Sequence, residues 1–250
     1  MNKTAKTLLR PAYRLAKKCL KSLPPVFRAK AIWRANLHTE VGHWDEWFAT
    51  RGGRRPELYL KKLDPNRELD PLLAKLLPPG DQPVDLLDVG AGPLTVLGKT
   101  YKGRTLRIVA VDPLAMAYDR LLSKHGITPL VRTIRGDAER LSAQFGGESF
   151  DLVYARNSID HAYSPENAIL EMVRVVRKDG FVVLIHSVNE AEKQRYEGLH
   201  QWNLSPEDGD LVISTKSTKL NFTQKHKELC KISCSALEHD YFLAIIQRNA

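Results

Sequence analysis

The chain has 250 residues, 43% of them hydrophobic, which is enough for one sizeable α/β domain with an appendage. No apolar run approaches the roughly 18 residues of a membrane span, and the three cysteines (Cys19, Cys230 and Cys234) lack a metal-ligand spacing, so they indicate reduced core thiols in a cytoplasmic protein. The net charge of +9 is not spread over the chain, because residues 1–34 hold ten Lys or Arg and no acid and leave the remainder at −1.

The first element is a basic arm with a helical period. Within residues 8–23 apolar side chains recur every three or four positions, with Lys and Arg between them. Such a helix suits an anionic membrane surface, but it also suits packing on its own domain with a solvated basic face. An organelle transit peptide is a third interpretation. The localisation predicted is cytoplasmic, with peripheral membrane contact through residues 1–34 left open.

An aromatic segment follows Pro24-Pro25, which end the first helix. The stretch "EVGHWDEWF" at 40–48 places Trp44, Trp47 and Phe48 within one helical turn of each other and predicts a helical lid. A short helix is expected from about Pro71, before the stop at 78–80. These features divide the chain into an N-terminal arm and lid over 1–80 and a second domain over 81–250.

From residue 84 apolar strands alternate with helices, which predicts a parallel sheet covered on both faces. Residues 210–222 and 229–248 continue as strands and suggest antiparallel additions at the sheet edge. The fold class expected is α/β: a Rossmann-like, doubly wound, mostly parallel seven-stranded sheet with an antiparallel C-terminal edge and an N-terminal helical arm. The other predicted strands are 84–89, 105–111, 130–135, 150–155 and 180–186, and the predicted helices lie near 94–101, 114–125, 138–145 and 165–178.

The turn after the first strand carries an unusual pair of acids. "VDLLDVGAGP" at 84–93 places Asp88 two residues before Gly90, and Asp112 ends the next strand. The third glycine of a dinucleotide fingerprint is absent. A carboxylate beside the turn repels a phosphate but attracts an ammonium and a sulfonium, while Asp112 is placed to accept hydrogen bonds from a ribose diol. This pattern fits S-adenosylmethionine better than NAD.

Four ordered segments resemble the class I S-adenosylmethionine-dependent methyltransferases, closest to the group called type 11: "LLDVGAGP", "VAVDP", "GDAERL" and "FDLVYARNSIDHAYSPENAILEMVRVVRKDGFVVL". The resemblance covers about 84–187, and it departs from the family pattern at Leu94, where many members carry a third glycine. It implies cofactor contacts at three strand ends. The methionine part lies at Asp88, Gly90, Ala91 and Gly92, the ribose at Asp112, and the adenine at Pro113, Asp137 and Ala138.

Each of these acids also has an ordinary structural interpretation. Asp88 and Asp137 can cap helices, and Asp112 can begin a turn with Pro113. All three acids at successive strand ends are better explained by one shared ligand.

The chemistry is expected after the fourth strand, in "ARNSIDHAYSP" at 155–165. His161 is the candidate general base, because imidazole exchanges protons near neutral pH. Asn157 is expected to hydrogen-bond the methionine end of the cofactor or the acceptor, and Asp160 to orient another group. Alternatively, His161 opens the next helix and Asn157 satisfies loop carbonyls.

A second polar cluster follows the fifth strand, in "HSVNEAEKQRYEGLHQWNL" at 186–204. His186 is expected to face the cleft, and Trp202 suits either a sugar platform or a core position. His186 and His200 lack an adjacent carboxylate pattern, so no metal is predicted.

The function predicted is methyl transfer from S-adenosylmethionine to a hydroxyl of a sugar, another small molecule or a glycan. Two alternatives remain open. One is an RNA methyltransferase that uses the basic arm, and the other is a catalytically silent, cofactor-binding partner subunit.

Overall fold

The computed structural model describes residues 25–249, with side chains from residue 29 onward. The helix predicted over residues 8–23 and the thiol of Cys19 lie outside the described residues.

From residue 25 onward, three helices precede the first strand: α1 (Pro25–Ala49), α2 (Pro56–Leu63) and α3 (Pro71–Ala74). Each begins at a proline, whose fixed φ suits a first helical turn and whose missing N–H is not needed there. The helix expected over the aromatic segment is therefore present, and it runs through all 25 residues of α1.

Ten strands and five further helices make up the rest of the described chain. The strands are β1 (Val84–Val89), β2 (Leu106–Asp112), β3 (Thr133–Arg135), β4 (Phe150–Arg156), β5 (Val176–Ser187), β6 (Asn203–Glu207), β7 (Asp210–Ser214), β8 (Lys219–Asn221), β9 (Cys230–Ala236) and β10 (Tyr241–Arg248). The helices are α4 (Ala115–Lys124), α5 (Leu141–Phe145), α6 (Pro165–Val175), α7 (Glu190–Lys193) and α8 (Phe222–Lys225), with 3-10 turns at Ala138–Arg140 and Ile159–His161.

Seven strands form the main sheet in the order β3-β2-β1-β4-β5-β10-β9. Strands β1 to β5 pair in parallel, and β10 pairs antiparallel with both of its neighbours. The predicted seven-stranded sheet with an antiparallel C-terminal edge is confirmed. Its composition differs in one place, because residues 210–222 are not in it. They supply β7 and β8, which join β6 in a separate three-stranded antiparallel sheet.

The helix predicted over residues 94–101 is wrong. The segment is irregular, and its end pairs with the chain before α3: the N–H of Lys99 donates to the carbonyl of Arg67 over 2.7 Å, and the N–H of Leu69 donates to the carbonyl of Thr100 over 2.9 Å. These bonds take up the backbone groups that a helix would use. Pro93 and the β-branched Thr95 and Val96 also weaken helix formation.

The chain reverses its direction of winding at β1, which lies between β2 and β4. One face of the sheet packs on α6, through Ile169 and Met172, and the other packs on α3 and Leu97. Ligands of open parallel sheets bind outside the carboxyl ends of the strands at such a switch point. The fold therefore directs attention to the ends of β1, β2 and β4.

Two further expectations concern thiols and membranes. Cys230 and Cys234 are free, and burial raises the pKa of each to about 11. Among residues 25–249, the helices lack the combination of length and apolar character that a membrane crossing requires.

Candidate active site

A cavity of about 810 Å³ opens at the carboxyl ends of β1, β2 and β4 and is covered by α1. All ten residues named from the sequence as cofactor or catalytic residues line it: Asp88, Gly90, Ala91, Gly92, Asp112, Pro113, Asp137, Ala138, Asn157 and His161. The structure thus brings together side chains from four strand ends. Their individual roles remain predictions.

Asp88 is buried beneath the glycine turn, where its Oδ2 accepts a hydrogen bond of 2.6 Å from Thr95 Oγ1. Burial raises the pKa of this carboxyl, and the hydrogen bond from Thr95 and the charge of Lys62 oppose the rise. Lys62 of α2 is itself buried, donates to the carbonyl of Leu94, and has its pKa lowered to about 8, chiefly by burial. The charge of Lys62 thus acts on Asp88 without a direct hydrogen bond between the two side chains.

The turn itself requires glycine at two positions. Gly90 and Gly92 have φ angles of +67° and +65°, a region that side chains disfavour. A Cβ on Gly90 would lie 2.3 Å from Ser158 Cβ, and one on Gly92 would lie 2.8 Å from the ring of Trp44. The turn is thus held between the β4 exit and the aromatic face of α1, and its backbone stays open to the cavity.

Asp112 ends β2 and closes over the same turn. Its Oδ2 accepts from the N–H of Gly92 over 3.2 Å, and its Oδ1 accepts from the N–H of Leu114 over 2.9 Å. Burial raises the pKa of Asp112 to about 6, although both backbone hydrogen bonds lower it. The carboxyl is thus anchored to the glycine turn at a position where a diol can reach it.

Asp137 caps the 3-10 turn that follows β3, and its Oδ1 accepts from the N–H of Glu139 over 3.4 Å. Its other oxygen lies 3.4 Å from Tyr163 Oη and 3.7 Å from Lys30 Nζ. The neighbouring Glu139 is buried, and burial together with its hydrogen bond to Asp137 raises its pKa to about 9. Burial therefore favours the protonated form of Glu139.

His161 belongs to a cluster of three polar side chains that line the same cavity. Its Nε2 lies 3.2 Å from His200 Nδ1 and 3.6 Å from Asp160 Oδ2. His200 Nδ1 also contacts Asp160 Oδ2 over 2.7 Å. Glu40 Oε1 of α1 lies 3.9 Å from His161 Nδ1, so carboxylates flank the imidazole on both sides.

The charges within this cluster support one another. Burial raises the pKa of Asp160, but attraction to His161 and the hydrogen bond from His200 outweigh burial, and the pKa falls below its ordinary value. The pKa of His200 moves the opposite way: burial lowers it, and the bond to Asp160 more than compensates and raises it. Asp160 is therefore an anion that holds a proton on His200.

Asn157, which follows β4, and His186, near the end of β5, have mainly structural contacts. Asn157 has a φ of +47°, donates from Nδ2 to Tyr241 Oη over 2.7 Å and accepts at Oδ1 from the N–H of Ser187 over 2.9 Å. It thus ties three strands together at the cavity edge. His186 was expected to face the cleft, but it is fully buried and its Nε2 accepts from the N–H groups of Ser158 and Ile159.

Helix α1 docks beside the cavity through charge and aromatic contacts. Asp45 accepts from Lys124 Nζ and lies 2.7 Å from His125 Nε2, both at the end of α4. Trp44 packs against Tyr118 of α4, with a distance of 6.4 Å between the ring centres. The aromatic segment is therefore both the inner face of α1 and part of the cavity wall.

Sequence reasoning missed Glu40 and Lys62 as site residues. Glu40 lies at the start of the quoted "EVGHWDEWF", so its nearness to the aromatic residues was a usable signal. The sequence gave no such signal for Lys62, because a single lysine on a short amphipathic helix is typical of a solvated face.

Comparisons with known proteins agree with this architecture. Residues 87–184 match a family model described as "Methyltransferase domain". The methyltransferase of a Haloferax volcanii complex with the Trm112 methyltransferase activator has 13% sequence identity and a TM-score of 0.53, with 85% of this chain and 97% of that chain covered. An S-adenosylmethionine-dependent methyltransferase from Thermotoga maritima has 16% identity and a TM-score of 0.52, with 87% and 100% covered. No curated protein matches the chain.

At these identities the two solved structures establish the fold, and the family model identifies the domain on it. The match spans β1 to most of β5, the part of the sheet whose carboxyl ends form the cavity. Residues 87–184 are therefore a methyltransferase domain, on a fold that this chain shares with S-adenosylmethionine-dependent methyltransferases.

Proposed function

We propose that this enzyme transfers the methyl group of S-adenosylmethionine to a hydroxyl of a sugar or a glycan, with His161 as general base. The observation that carries the proposal is the cluster of Asp160, His161 and His200, which lines the same cavity as the predicted cofactor residues.

The cofactor is assigned by the order of the strand ends along the cavity. Its methionine part lies at the glycine turn of Gly90 to Gly92, its ribose at Asp112 and its adenine at Asp137 and Ala138. This placement is supported by the position of Asp137 and Ala138, which both line the cavity. Asp88 and Lys62 are both buried residues that line the cavity, and they offer groups of both signs to the amino and carboxylate groups of methionine.

The reaction is an in-line displacement at the methyl carbon. The acceptor oxygen forms the new bond to carbon while the carbon–sulfur bond breaks, and S-adenosylhomocysteine leaves. Positioning supplies much of the rate enhancement, and a base contributes about 10²–10⁴-fold when the acceptor is a weakly acidic hydroxyl. His161 takes the hydroxyl proton, and the carboxylates of Asp160 and Glu40 stabilise the imidazolium that forms.

No bound metal is needed for this role. Asp160 Oδ2 and His200 Nδ1, which lie near enough to His161 to share an ion, are engaged with each other in a hydrogen bond of 2.7 Å. We therefore expect dialysis against a chelator to leave methyl transfer unchanged. A loss of activity that Mn²⁺ or Zn²⁺ restores would show that the three side chains act as metal ligands.

An RNA acceptor is the second candidate, favoured by the ten Lys and Arg of residues 1–34. A catalytically silent partner subunit is the third. Against the RNA alternative, the sequence after residue 34 is close to neutral and its cavity is lined by acids as well as bases.

One experiment separates these functions. The full chain is incubated with methyl-labelled S-adenosylmethionine and, in parallel, with nucleotide sugars, glycan extracts and total RNA. We expect label in a carbohydrate fraction and none in RNA, with the Asp112→Ala variant as the blank. Label only in RNA selects the second candidate. Cofactor binding by calorimetry without label in any fraction selects the partner subunit.

A further inference from the structure

A second cavity of about 430 Å³ lies next to the first one. The two share a wall made of Trp33, His161, Ala162 and Leu199, all of which line both cavities. The predicted base thus stands between a space that contains the cofactor residues and a space that does not.

Aromatic rings dominate the second cavity. Trp33 and Tyr163 meet edge to face at a ring separation of 5.4 Å on one side, and Tyr196 and Trp202 contribute on the other. Such rings offer broad apolar faces with polar edges. Trp202 packs partly against the core beneath and is half-buried.

Polar groups with unused hydrogen-bonding capacity accompany the rings. Gln201 Nε2 donates to the carbonyls of Tyr196 and Gly198, and among described residues none donates to its Oε1. Tyr196 Oη accepts from Asn203 Nδ2 over 3.0 Å, which leaves its own O–H to donate. Lys216 Nζ lies 4.6 Å from the ring centre of Tyr196. Among the described residues, no carboxylate oxygen lies within 4.0 Å of the Lys216 ammonium.

The loop between α7 and β6, which presents Tyr196 and Gln201, is held in an unusual backbone conformation. Arg195 and Tyr196 are successive non-glycine residues with φ of +56° and +58°. Left-handed conformations cost about 1–2 kcal/mol per residue for L-amino acids. The loop is tied down by the 2.6 Å bond from the N–H of Tyr196 to the carbonyl of Ala191 and by the two Gln201 bonds. Strain of this kind clusters at ligand sites.

We infer that the second cavity binds a pyranose ring of the acceptor, so that the hydroxyl to be methylated reaches His161 through the shared wall. This inference rests on the proposed function and specifies where its acceptor lies. A pyranose has C–H faces that pack on the aromatic rings and hydroxyl edges that match Gln201 Oε1, Tyr196 O–H and Lys216. A planar phenol matches the rings but offers fewer hydroxyl groups to Gln201 Oε1 and Tyr196 O–H.

Saturation-transfer NMR on the full chain with bound S-adenosylhomocysteine tests this assignment. The probes are the methyl glycosides of glucose, galactose, mannose and rhamnose, with methyl 4-hydroxybenzoate as the planar competitor. We expect saturation of at least one glycoside, strongest at its C–H protons. Trp202→Ala should reduce the signal at least fivefold.

Tyr196→Phe supplies a milder variant in case Trp202→Ala does not fold. It removes one donor and should reduce the signal at least twofold. Tyr101→Phe, outside both cavities, should leave it unchanged. Absence of saturation for every glycoside, saturation of the phenol alone, or an equal signal in Trp202→Ala overturns the inference. Calorimetry with S-adenosylhomocysteine on each variant reports cofactor binding separately, so failure at this cavity and failure of the methyltransferase function are distinguishable.

Discussion

Asp112 is subject to two opposing influences on its carboxyl group. Burial favours the neutral form and raises its pKa to about 6, while the N–H groups of Gly92 and Leu114 favour the anion. A ribose diol would add two more donors to the anion and complete its solvation.

Removal of this carboxylate tests the ribose assignment. Asp112→Ala should weaken S-adenosylmethionine binding at least tenfold, measured by calorimetry, because a diol would lose a charged acceptor. Asp119→Asn is the matched control, since Asp119 is paired with Arg132 on the surface. An unchanged affinity in Asp112→Ala would remove Asp112 from the cofactor site.

The same carboxyl predicts a pH dependence of cofactor binding. The anion is the form that would accept the hydrogen bonds of a ribose diol, and a pKa of about 6 means that protons would compete with the cofactor as the pH falls below 6. The Kd should therefore rise by up to about tenfold per pH unit between pH 6 and 5, and change little between 7 and 8. Asp112→Asn cannot titrate, so its weaker binding should show a smaller change over the same range.

At His161 the expected effect is on turnover and not on cofactor affinity. His161→Ala should lower kcat about a hundredfold, since proton removal by a base contributes about 10²–10⁴-fold. The Kd for S-adenosylmethionine should stay near that of the wild type. His38→Ala, an exposed histidine on α1, is the control. Full activity of His161→Ala at neutral and high pH alike would show that another group is the base or that none is needed.

Single residues differed in how far they could be predicted. Asp88, Asp112 and Asp137 were found because each lies within two residues of the carboxyl end of a strand, and parallel strands bring these ends to one rim. Lys62 and Glu40 belong to helices outside the repeating pattern, and their position depends on how those helices dock. Docking depends on packing between residues distant in sequence, which periodicity does not report.

At the scale of elements, strands were predicted better than the connections between them. Buried parallel strands are continuous apolar runs, so β1, β2, β4 and β5 were visible in the sequence. The alternating pattern predicts a helix after β1, whereas the structure pairs that segment with residues 67–69. The pairing depends on Gly98, whose Cβ would lie only 2.1 Å from the carbonyl oxygen of Glu68.

Gly98→Ala tests this pairing. The neighbour is backbone and cannot rotate away, so the substitution should lower the free energy of unfolding by about 3 kcal/mol, measured by urea denaturation. Gly42→Ala is the contrasting variant: Gly42 lies inside α1, and a Cβ added there would have nothing within 4 Å. It should raise stability by about 0.5–1 kcal/mol. Equal effects of the two variants would mean that residues 94–100 are not packed against 67–69.

At the scale of the whole molecule, charge and catalysis are separated along the chain. The cavities lie within the described residues, whereas residues 1–24 carry seven of the 38 basic residues and none of the 29 acids, so their removal lowers the net charge from +9 to +2. Long-range attraction to polyanions follows net charge and falls with salt. The sequence predicts an arm and lid over 1–80. The charge distribution suggests that the basic arm acts in binding to polyanions and not in methyl transfer.

Deletion of residues 1–24 should leave cofactor affinity and methyl transfer to the carbohydrate acceptor within twofold of the full chain. It should also abolish most of the salt-sensitive binding to anionic vesicles and to RNA, measured by co-sedimentation at 50 and 200 mM NaCl. Replacement of the seven Lys and Arg by Gln in the full-length chain is the matched control, because it removes the charge and keeps the length. If the truncated enzyme binds its cofactor normally but no longer labels any acceptor, the arm takes part in acceptor recognition, and an RNA substrate regains the advantage over a sugar.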